Sequence, residues 1–150
     1  GMKSVKIKCK EQTIAISANR MFNSNGGTCV LESVDFSDAP VKLYDMQQTF
    51  AWRTKLREIL GELDVSENTT FNSCFLVCQS LEYIRFKEKS IKVNIDFGGC
   101  SKLSVESIQS IIDGLAMVEI SQTLKFHADV KAKLTESQIA TITSKNWTLA

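Results

Sequence analysis

A 25-residue repeat constrains this chain more than any other feature of its sequence. Six-residue segments that begin at Leu31, Leu56 and Leu81 place apolar residues at matching positions, and the sequence interval between their starts is constant. Other apolar residues follow one another at the same interval: Val34, Ile59 and Ile84; Met21, Met46 and Phe71; Phe50 and Phe75. Two further pairs are separated by twice the interval: Val41 and Ile91, and Leu43 and Val93. A period of this length is typical of a solenoid, in which stacked coils bury each other's apolar edges.

The N-terminal segment has the pattern of a further copy with a longer interval. Four of its residues precede their counterparts by 27 positions: Ile7 before Val34, Cys9 before Phe36, Ile14 before Val41, and Ile16 before Leu43. A two-residue insertion near Asn25-Gly26-Gly27 accounts for the difference, because paired glycines suit a tight loop.

Alternation within each copy predicts a strand with one buried face. Val34 and Phe36, like Ile84 and Phe86, are two residues apart and therefore point into the core. The residues between such pairs are expected to point outward: Lys6, Lys8, Ser33, Asp35, Glu58, Leu60, Tyr83 and Arg85. Further apolar groups predict a short strand on the opposite side of the coil: Val41 with Leu43, and Ile91 with Val93, Ile95 and Phe97.

The pattern changes after Cys100, where the spacing of apolar residues over 105–115 predicts a helix that starts at Ser104 or Ser107 and stops at Gly114. Alternation over 123–127 predicts a strand. Thr135 with Gln138 forms a capping box for a second helix, and 147–150 returns as an extended segment. We expect this helix-strand-helix unit to cap the open end of the sheet.

These patterns predict one α/β domain over residues 1–150, with about four short coils and a parallel sheet over 2–100 and a terminal unit over 101–150. The chain has 18 Lys plus Arg against 17 Asp plus Glu, so it lacks the positive charge that nucleic acid or anionic lipid attracts. No apolar run approaches the roughly 20 residues that membrane insertion requires. The segment 2–17 does not resemble a signal peptide, so a cytoplasmic or phage-associated location is favoured over secretion.

Nothing in the sequence predicts catalysis, a cofactor or a metal site. The chain has one imidazole, His127, and no motif that surrounds a nucleophile. The five cysteines are expected to be buried free thiols rather than zinc ligands. Trp52 and Trp147 are predicted core residues, and the sequon at Asn68-Thr69-Thr70 carries little weight without an export signal.

With the repeat established, the chain resembles two groups of leucine-rich proteins. Leu31-Glu32-Ser33-Val34-Asp35-Phe36, Lys55-Leu56-Arg57-Glu58-Ile59 and Ser80-Leu81-Glu82-Tyr83-Ile84 resemble the BspA-like leucine-rich repeats of bacteria. The segments 103–108, 134–140 and 145–150 are similar to the C-terminal unit of leucine-rich proteins from gut bacteria and their prophages. The resemblance implies a right-handed leucine-rich-repeat solenoid, and relatives that act as adhesion, surface or phage-associated binding proteins without catalysis.

The expected function is therefore non-catalytic binding of a protein or glycan partner on the face of the sheet. The residues expected to bind the partner project from that face: Asp35, Glu58, Tyr83, Arg85, Lys125 and His127. Tyr83 beside Arg85 is the most interface-like pair. Three alternatives stay open: a face whose charges serve only solubility, a structural or tail-associated component of a prophage, and a hydrolase with an unrecognised site.

Overall fold

The computed structural model describes residues 1–8, 15–25, 29–39 and 42–150. It is a mixed α/β fold in which every strand pairing in these ranges is parallel and the described helices lie near the C-terminal end of the chain. The strands are β1 (Ser4–Lys8), β2 (Ile16–Ser17), β3 (Ser33–Asp38), β4 (Leu43–Tyr44), β5 (Glu58–Leu63), β6 (Tyr83–Phe86), β7 (Ile95–Phe97), β8 (Gln122–Phe126) and β9 (Trp147–Leu149). The helices are α1 (Val105–Gly114), α2 (Ala128–Lys131) and α3 (Glu136–Ser144).

The 25-residue interval is the register of the main sheet, whose strand order is β1-β3-β5-β6. Val34 pairs with Ile59, and Ile59 pairs with Ile84. All three side chains are fully buried, because each strand buries alternate residues on one face. Leu56 and Leu81, which lie just before β5 and β6, are fully buried as well. The strand positions and inward residues expected from this part of the sequence are confirmed.

Phenylalanine side chains form a continuous stack through the core. The rings of Phe22, Phe50, Phe75, Phe97 and Phe126 follow one another with centroid separations of 5.5, 5.8, 4.5 and 6.0 Å. Successive members of the stack come from successive repeats, so each ring buries apolar area against the repeats before and after it. No repeat can remove its own ring from water alone.

The N-terminal copy is present, but its offset differs from the predicted one. Ile16 pairs with Leu43 at the expected offset, whereas Val5, not Ile7, pairs with Val34, which lengthens the offset by two positions. Met21 is also exposed, because its neighbour Phe22 takes the place in the aromatic stack. The predictions for Cys9, Ile14, Val41 and the Gly26-Gly27 loop lie outside the described residues.

Left-handed backbone conformations in the turns, which we call corners, explain why Trp52 is not a core residue. Trp52 and Val77 occupy equivalent positions of two repeats and have φ angles of 65° and 60°, and Gln48 and Ser73 form a similar pair with φ of 53° and 52°. Non-glycine residues adopt this conformation rarely, so no local pattern predicts it here. The prediction that Trp52 is a core residue is wrong, since the corner turns its side chain outward and leaves it 42% exposed.

Helix α1 covers the edge of the main sheet at β6, as the predicted cap should. Ser104 is its N-cap and accepts a hydrogen bond from the Ser107 amide. Two hydroxyls on the face of α1 accept from backbone amides of β6: Ser107 from Ile84 at 2.9 Å and Ser110 from Phe86 at 3.0 Å. A helix has no free backbone acceptors along its side, so these serines replace the strand that would otherwise satisfy the edge.

Strands β7, β8 and β9, in that order, form a three-stranded sheet that we call the second sheet, and β2 pairs with β4 in a separate two-stranded sheet. The capping box at Thr135 and Gln138 is confirmed at the start of α3, and Trp147 is buried and donates from Nε1 to the Ala116 carbonyl at 2.8 Å. His127 is not a strand residue as predicted. It is the N-cap of α2, a short helix that the alternating pattern did not predict.

The interval between repeats shortens where the second sheet begins. Phe75 stacks on Phe97, and buried Cys78 is followed by buried Cys100, so both steps are three positions shorter than the regular one. Of the strand predicted from Ile91 to Phe97, only Ile95–Phe97 forms β7, and Ile91 makes an isolated bridge with Leu115.

Replacing Ile59 with Asp tests the buried register. Ile59 is fully buried in the central pair of the main sheet, so an unpaired carboxylate there should lower the free energy of unfolding by at least about 4 kcal/mol. Urea unfolding measures the change. The matched control is Ile120→Asp, at a side chain 79% exposed, which should change stability little; equal effects of the two variants would contradict the inward position of Ile59.

Replacing Ser107 with Ala tests the cap on β6. The variant leaves the Ile84 amide without its acceptor and removes one of two donors to the Glu82 carbonyl, which still accepts from the Ser104 amide; the loss should cost about 1–3 kcal/mol. Hydrogen exchange of the Ile84 amide should accelerate beyond the change expected from global stability. Ser137→Ala, at an exposed position of α3, is the control, and unchanged exchange at Ile84 would exclude the proposed hydrogen bond.

Candidate functional site

The six residues expected to bind a partner lie in two groups rather than along one stripe. Asp35, Glu58, Tyr83 and Arg85 belong to strands of the main sheet. Lys125 belongs to β8 of the second sheet, and His127 follows it at the start of α2.

Asp35 is engaged by its neighbours within the sheet. Its Oδ1 accepts from the Ser37 amide at 2.8 Å, and Lys6 Nζ lies 3.5 Å from its Oδ2 and 2.9 Å from Asp38. The hydrogen bonds from Ser37, helped by Lys6, hold the pKa of Asp35 below its ordinary value. The same contacts raise the pKa of Lys6, with the hydrogen bond to Asp38 as the largest cause.

A bulge in β5 separates Arg85 from the outward row in which it was expected. Glu58 pairs with Ser33 on one side and Tyr83 on the other, but beyond Ile59 the register shifts and Arg85 pairs with Glu62. Gly61 makes the shift possible, with φ of 87°; a Cβ there would lie 2.7 Å from the backbone of Phe36 and Ser37. Tyr83 therefore keeps its position beside Glu58, whereas Arg85 lies beyond the bulge, beside Glu62.

Charges on the outer surface pair from one repeat to the next. Lys3 lies 3.4 Å from Glu32, and Arg57 lies 3.2 Å from Glu82, so signs alternate along the start of the strands. Other outward pairs also join successive repeats: Lys42 with Glu67, Lys87 with Asp64, and Lys125 with Asp96. In each pair the two opposite charges balance each other, and a single pair of this kind contributes little to stability.

A cleft of about 700 Å³ lies between the 69–76 segment and the second sheet. We call it the 69–125 cleft. Its lining consists of residues 69–73, Phe75, Leu76, residues 93–96, Gly98, Gly99, Thr123 and Lys125. Of the six predicted residues only Lys125 contributes to it. Its volume lies within the range of roughly 300–1,000 Å³ that is typical of small-ligand sites.

The cleft forms at the shortened step of the repeat. Earlier in the chain, Phe50 and Trp52 donate backbone hydrogen bonds to Cys74 and Leu76, and these contacts join two adjacent repeats. On the other side of the 69–76 segment, β7 takes its partner from β8 instead. The two segments come close at one end, where a Cβ on Gly99 would lie 3.0 Å from the Val77 amide, and both line the cleft as far as Thr69 and Val93.

Polar side chains of the cleft are ordered by short hydrogen bonds to backbone amides. Asn94 Oδ1 accepts from the Thr123 amide at 2.6 Å, and Asp96 Oδ1 accepts from the Gly98 amide at 2.6 Å. Asp96 Oδ2 also lies 3.3 Å from Lys125 Nζ. The cleft thus presents fixed polar groups beside apolar ones, namely Leu76, which is 42% exposed, and half-buried Val93.

This site could not be recognised in the sequence because its residues look like turn residues. Thr69, Thr70, Asn72 and Ser73 are short polar residues between apolar ones, as in any loop. The signal that could have found it is the shortening of the repeat interval before Cys100. Asn68, in the sequon that carries little weight without an export signal, is buried, and its Oδ1 accepts from the Met46 amide at 3.0 Å.

The titratable side chains give little support to chemistry at these surfaces. His127 Nδ1 accepts from the Asp129 amide at 3.2 Å and lies 3.5 Å from the Asp129 carboxylate, so its ring caps a helix. In the described ranges no cluster of His, Cys, Asp and Glu could hold a metal ion. None of the helices in the described chain is long and apolar enough to cross a membrane.

The cysteines differ in their burial and therefore in their expected reactivity. Cys74, Cys78 and Cys100 are buried free thiols; burial raises the pKa of Cys78 to about 12 and that of the other two well above the usual value. At half-buried Cys29 burial opposes ionisation, but hydrogen bonds from the Lys55 backbone and the Arg53 guanidinium outweigh it and lower the pKa.

Alkylation of the native protein tests the expected difference in reactivity between Cys29 and the three buried cysteines. At pH 8, iodoacetamide should modify Cys29 at least about tenfold faster than Cys74, Cys78 or Cys100, because thiolate and access are both required. Peptide mass spectrometry measures each site. Labelling in urea, where all four should react alike, is the control, and equal rates in the native protein would contradict the burial of the three thiols.

No protein-family model matches the chain, and no curated protein and no solved structure is significantly similar to it. Its function is therefore inferred from the residues and geometry of the chain itself.

Proposed function

We propose that this chain is a non-catalytic binding module, built as a leucine-rich-repeat solenoid, that captures a protein or glycan partner in the 69–125 cleft. The single observation that carries the proposal is the cleft of about 700 Å³ at the shortened step between repeats. Concave sites with apolar walls and a few fixed polar groups are the usual form of a ligand site.

The solenoid assignment is supported by three features that act together. The main sheet is parallel and keeps one constant register from β3 through β5 to the start of β6, and phenylalanines from successive repeats stack through the core. A helix covers one edge of the sheet, as a terminal cap does in stacked repeats. The resemblance to BspA-like repeats agrees with this assignment and with a binding role.

The absence of catalysis is supported by how the reactive groups are used. His127 serves as a helix cap, and burial suppresses ionisation of Cys74, Cys78 and Cys100. Nucleophilic catalysis needs a base within reach of a nucleophile, and among the described residues the cleft lining includes neither histidine nor cysteine.

The cleft is a better candidate than the sheet face that the sequence favoured. Several outward charges on the sheet, those of Lys3, Asp35 and Arg57 among them, are paired with a neighbouring repeat, so a charged partner would have to compete with these pairs. At about 700 Å³ the cleft is larger than the concavity of about 520 Å³ that Glu58 and Tyr83 line on the sheet face, and it adds the exposed apolar side chain of Leu76 and includes Lys125. Asp35, Glu58, Tyr83, Arg85 and His127 are then outside the main contact.

Screening labelled protein on glycan and peptide arrays tests the proposal. Thr69 is exposed at the cleft, and Thr69→Trp should fill the opening and reduce binding of any genuine ligand at least about tenfold. Thr143→Trp, on the exposed side of α3, is the matched control and should bind normally.

A double variant, Tyr83→Ala with Arg85→Ala, tests the sheet face in the same arrays. We expect it to bind like the unmodified protein, provided that circular dichroism shows the same fold. Loss of binding in this variant, with binding retained in Thr69→Trp, would show that the ligand binds on the sheet face and not in the cleft. Arrays without any bound member would contradict the binding function itself.

A further inference from the structure

The acceptors in the 69–125 cleft are largely engaged by the protein itself. Asn94 Oδ1 accepts from Thr123, and both oxygens of Asp96 accept, one from the Gly98 amide and one from Lys125. On the other wall, Asn72 Oδ1 accepts from the Ser73 hydroxyl at 3.3 Å. The hydrogen-bonding capacity left for a ligand is therefore weighted toward donors.

The side-chain amides of Asn72 and Asn94 are donors of the cleft lining, beside the Lys125 ammonium group and the threonine hydroxyls. The Oδ1 atom of each asparagine accepts a hydrogen bond from the protein, and this bond orients the Nδ2 group of the same side chain. Within the described residues neither Nδ2 group has a protein acceptor. Both residues are exposed and line the cleft. A ligand that supplies carbonyl oxygens would use both amides without breaking an existing hydrogen bond.

The net charge of the cleft is close to zero. Asp96 and Lys125 are the charged residues of the lining, and they are paired at 3.3 Å. A strongly anionic ligand would have to compete with Asp96, and a cationic one with Lys125. The apolar part of the lining, exposed Leu76 with half-buried Val93, favours a ligand that also presents a methyl group or a similar small apolar surface.

The familiar modes of peptide recognition fit this cleft poorly. In the part of the chain that the structure describes, its lining has no arginine, and its aromatic residues Phe71 and Phe75 are buried to 3% and 1% exposure. The edge of β7 is only three residues long, and beside it Gly99 packs against the backbone of Val77. An added peptide strand would have little edge to pair with.

From these features we infer that the 69–125 cleft binds a neutral N-acetylated saccharide. Its acetamido carbonyl accepts from the amides of Asn72 or Asn94, and its acetamido methyl group packs against Leu76 and Val93. The hydroxyls of Thr69, Thr70 and Thr123 border the sugar ring, where they can donate or accept. This inference rests on the proposed binding function and names the ligand class of the same site.

Titration with two matched trisaccharides tests the ligand class. Tri-N-acetylchitotriose and cellotriose share their linkage and differ in the acetamido groups, so isothermal titration of the full chain compares those groups directly. We expect cellotriose to bind at least about tenfold more weakly, because it lacks both the carbonyl and the methyl group. Raising sodium chloride from low to high concentration should leave the chitotriose affinity nearly unchanged, since the contacts are uncharged.

Variants of the cleft separate binding from folding. Asn72→Asp with Asn94→Asp keeps the shape and the engaged oxygens but replaces the free donors with acceptors, and it should weaken chitotriose at least about tenfold. Gln79→Glu makes the same kind of change at an exposed residue outside the lining and should bind normally. Leu76→Ala should weaken chitotriose more than cellotriose.

Each contrary result has a distinct meaning. Equal binding of the two trisaccharides, tighter binding of a trigalacturonate, or no heat from chitotriose at millimolar concentration would overturn the N-acetyl assignment. If another array member then binds and is blocked by Thr69→Trp, only this inference fails. If no glycan or peptide binds, the proposed binding function fails with it.

Discussion

The contact between successive repeats is the interaction on which the rest of the structure depends. The fully buried residues Val34, Ile59 and Ile84 each lie beside the equivalent residue of the next repeat, and the phenylalanine stack runs through the same interior. A repeat of this size exposes too much apolar surface to fold alone, so its stability comes from its neighbours. Stability and register are therefore one property in this protein: a change that shifts one repeat by a single position also turns its core residues outward.

The cleft lies where the repeat departs from its regular interval. Where the step shortens, the phenylalanines remain stacked and the chain outside them separates, so that a cleft opens between the 69–76 segment and β7. Regular stacking produces a surface on which charges pair from repeat to repeat, while the irregular step leaves amides and an exposed leucine available. The candidate site is in this sense a consequence of the break in the repeat.

Features that depend on local pattern could be predicted from the sequence. The strands around Val34, Ile59 and Ile84, the N-cap at Ser104 and the capping box at Thr135 follow from alternation and from the chemistry of short polar side chains. Features that depend on partners distant in sequence could not. The outward position of Trp52 follows from a left-handed corner without glycine, and the displacement of Arg85 follows from the bulge at Gly61.

The candidate site could be predicted only in part for the same reason. Lys125 was expected to face a partner and does line the cleft, but the facing wall is built from polar residues that gain significance only when the shortened step brings them opposite β7 and β8.

The register of the main sheet can be measured directly with methyl-labelled protein in solution. Nuclear Overhauser contacts should connect the methyl groups of Val34 with those of Ile59, and Ile59 with Ile84, because paired residues of adjacent parallel strands lie about 5 Å apart. Contacts from Val34 directly to Ile84 should be absent. Missing Val34–Ile59 contacts, or contacts that join Ile59 to strand residues outside this register, would contradict the stacking from which the fold and the cleft are derived.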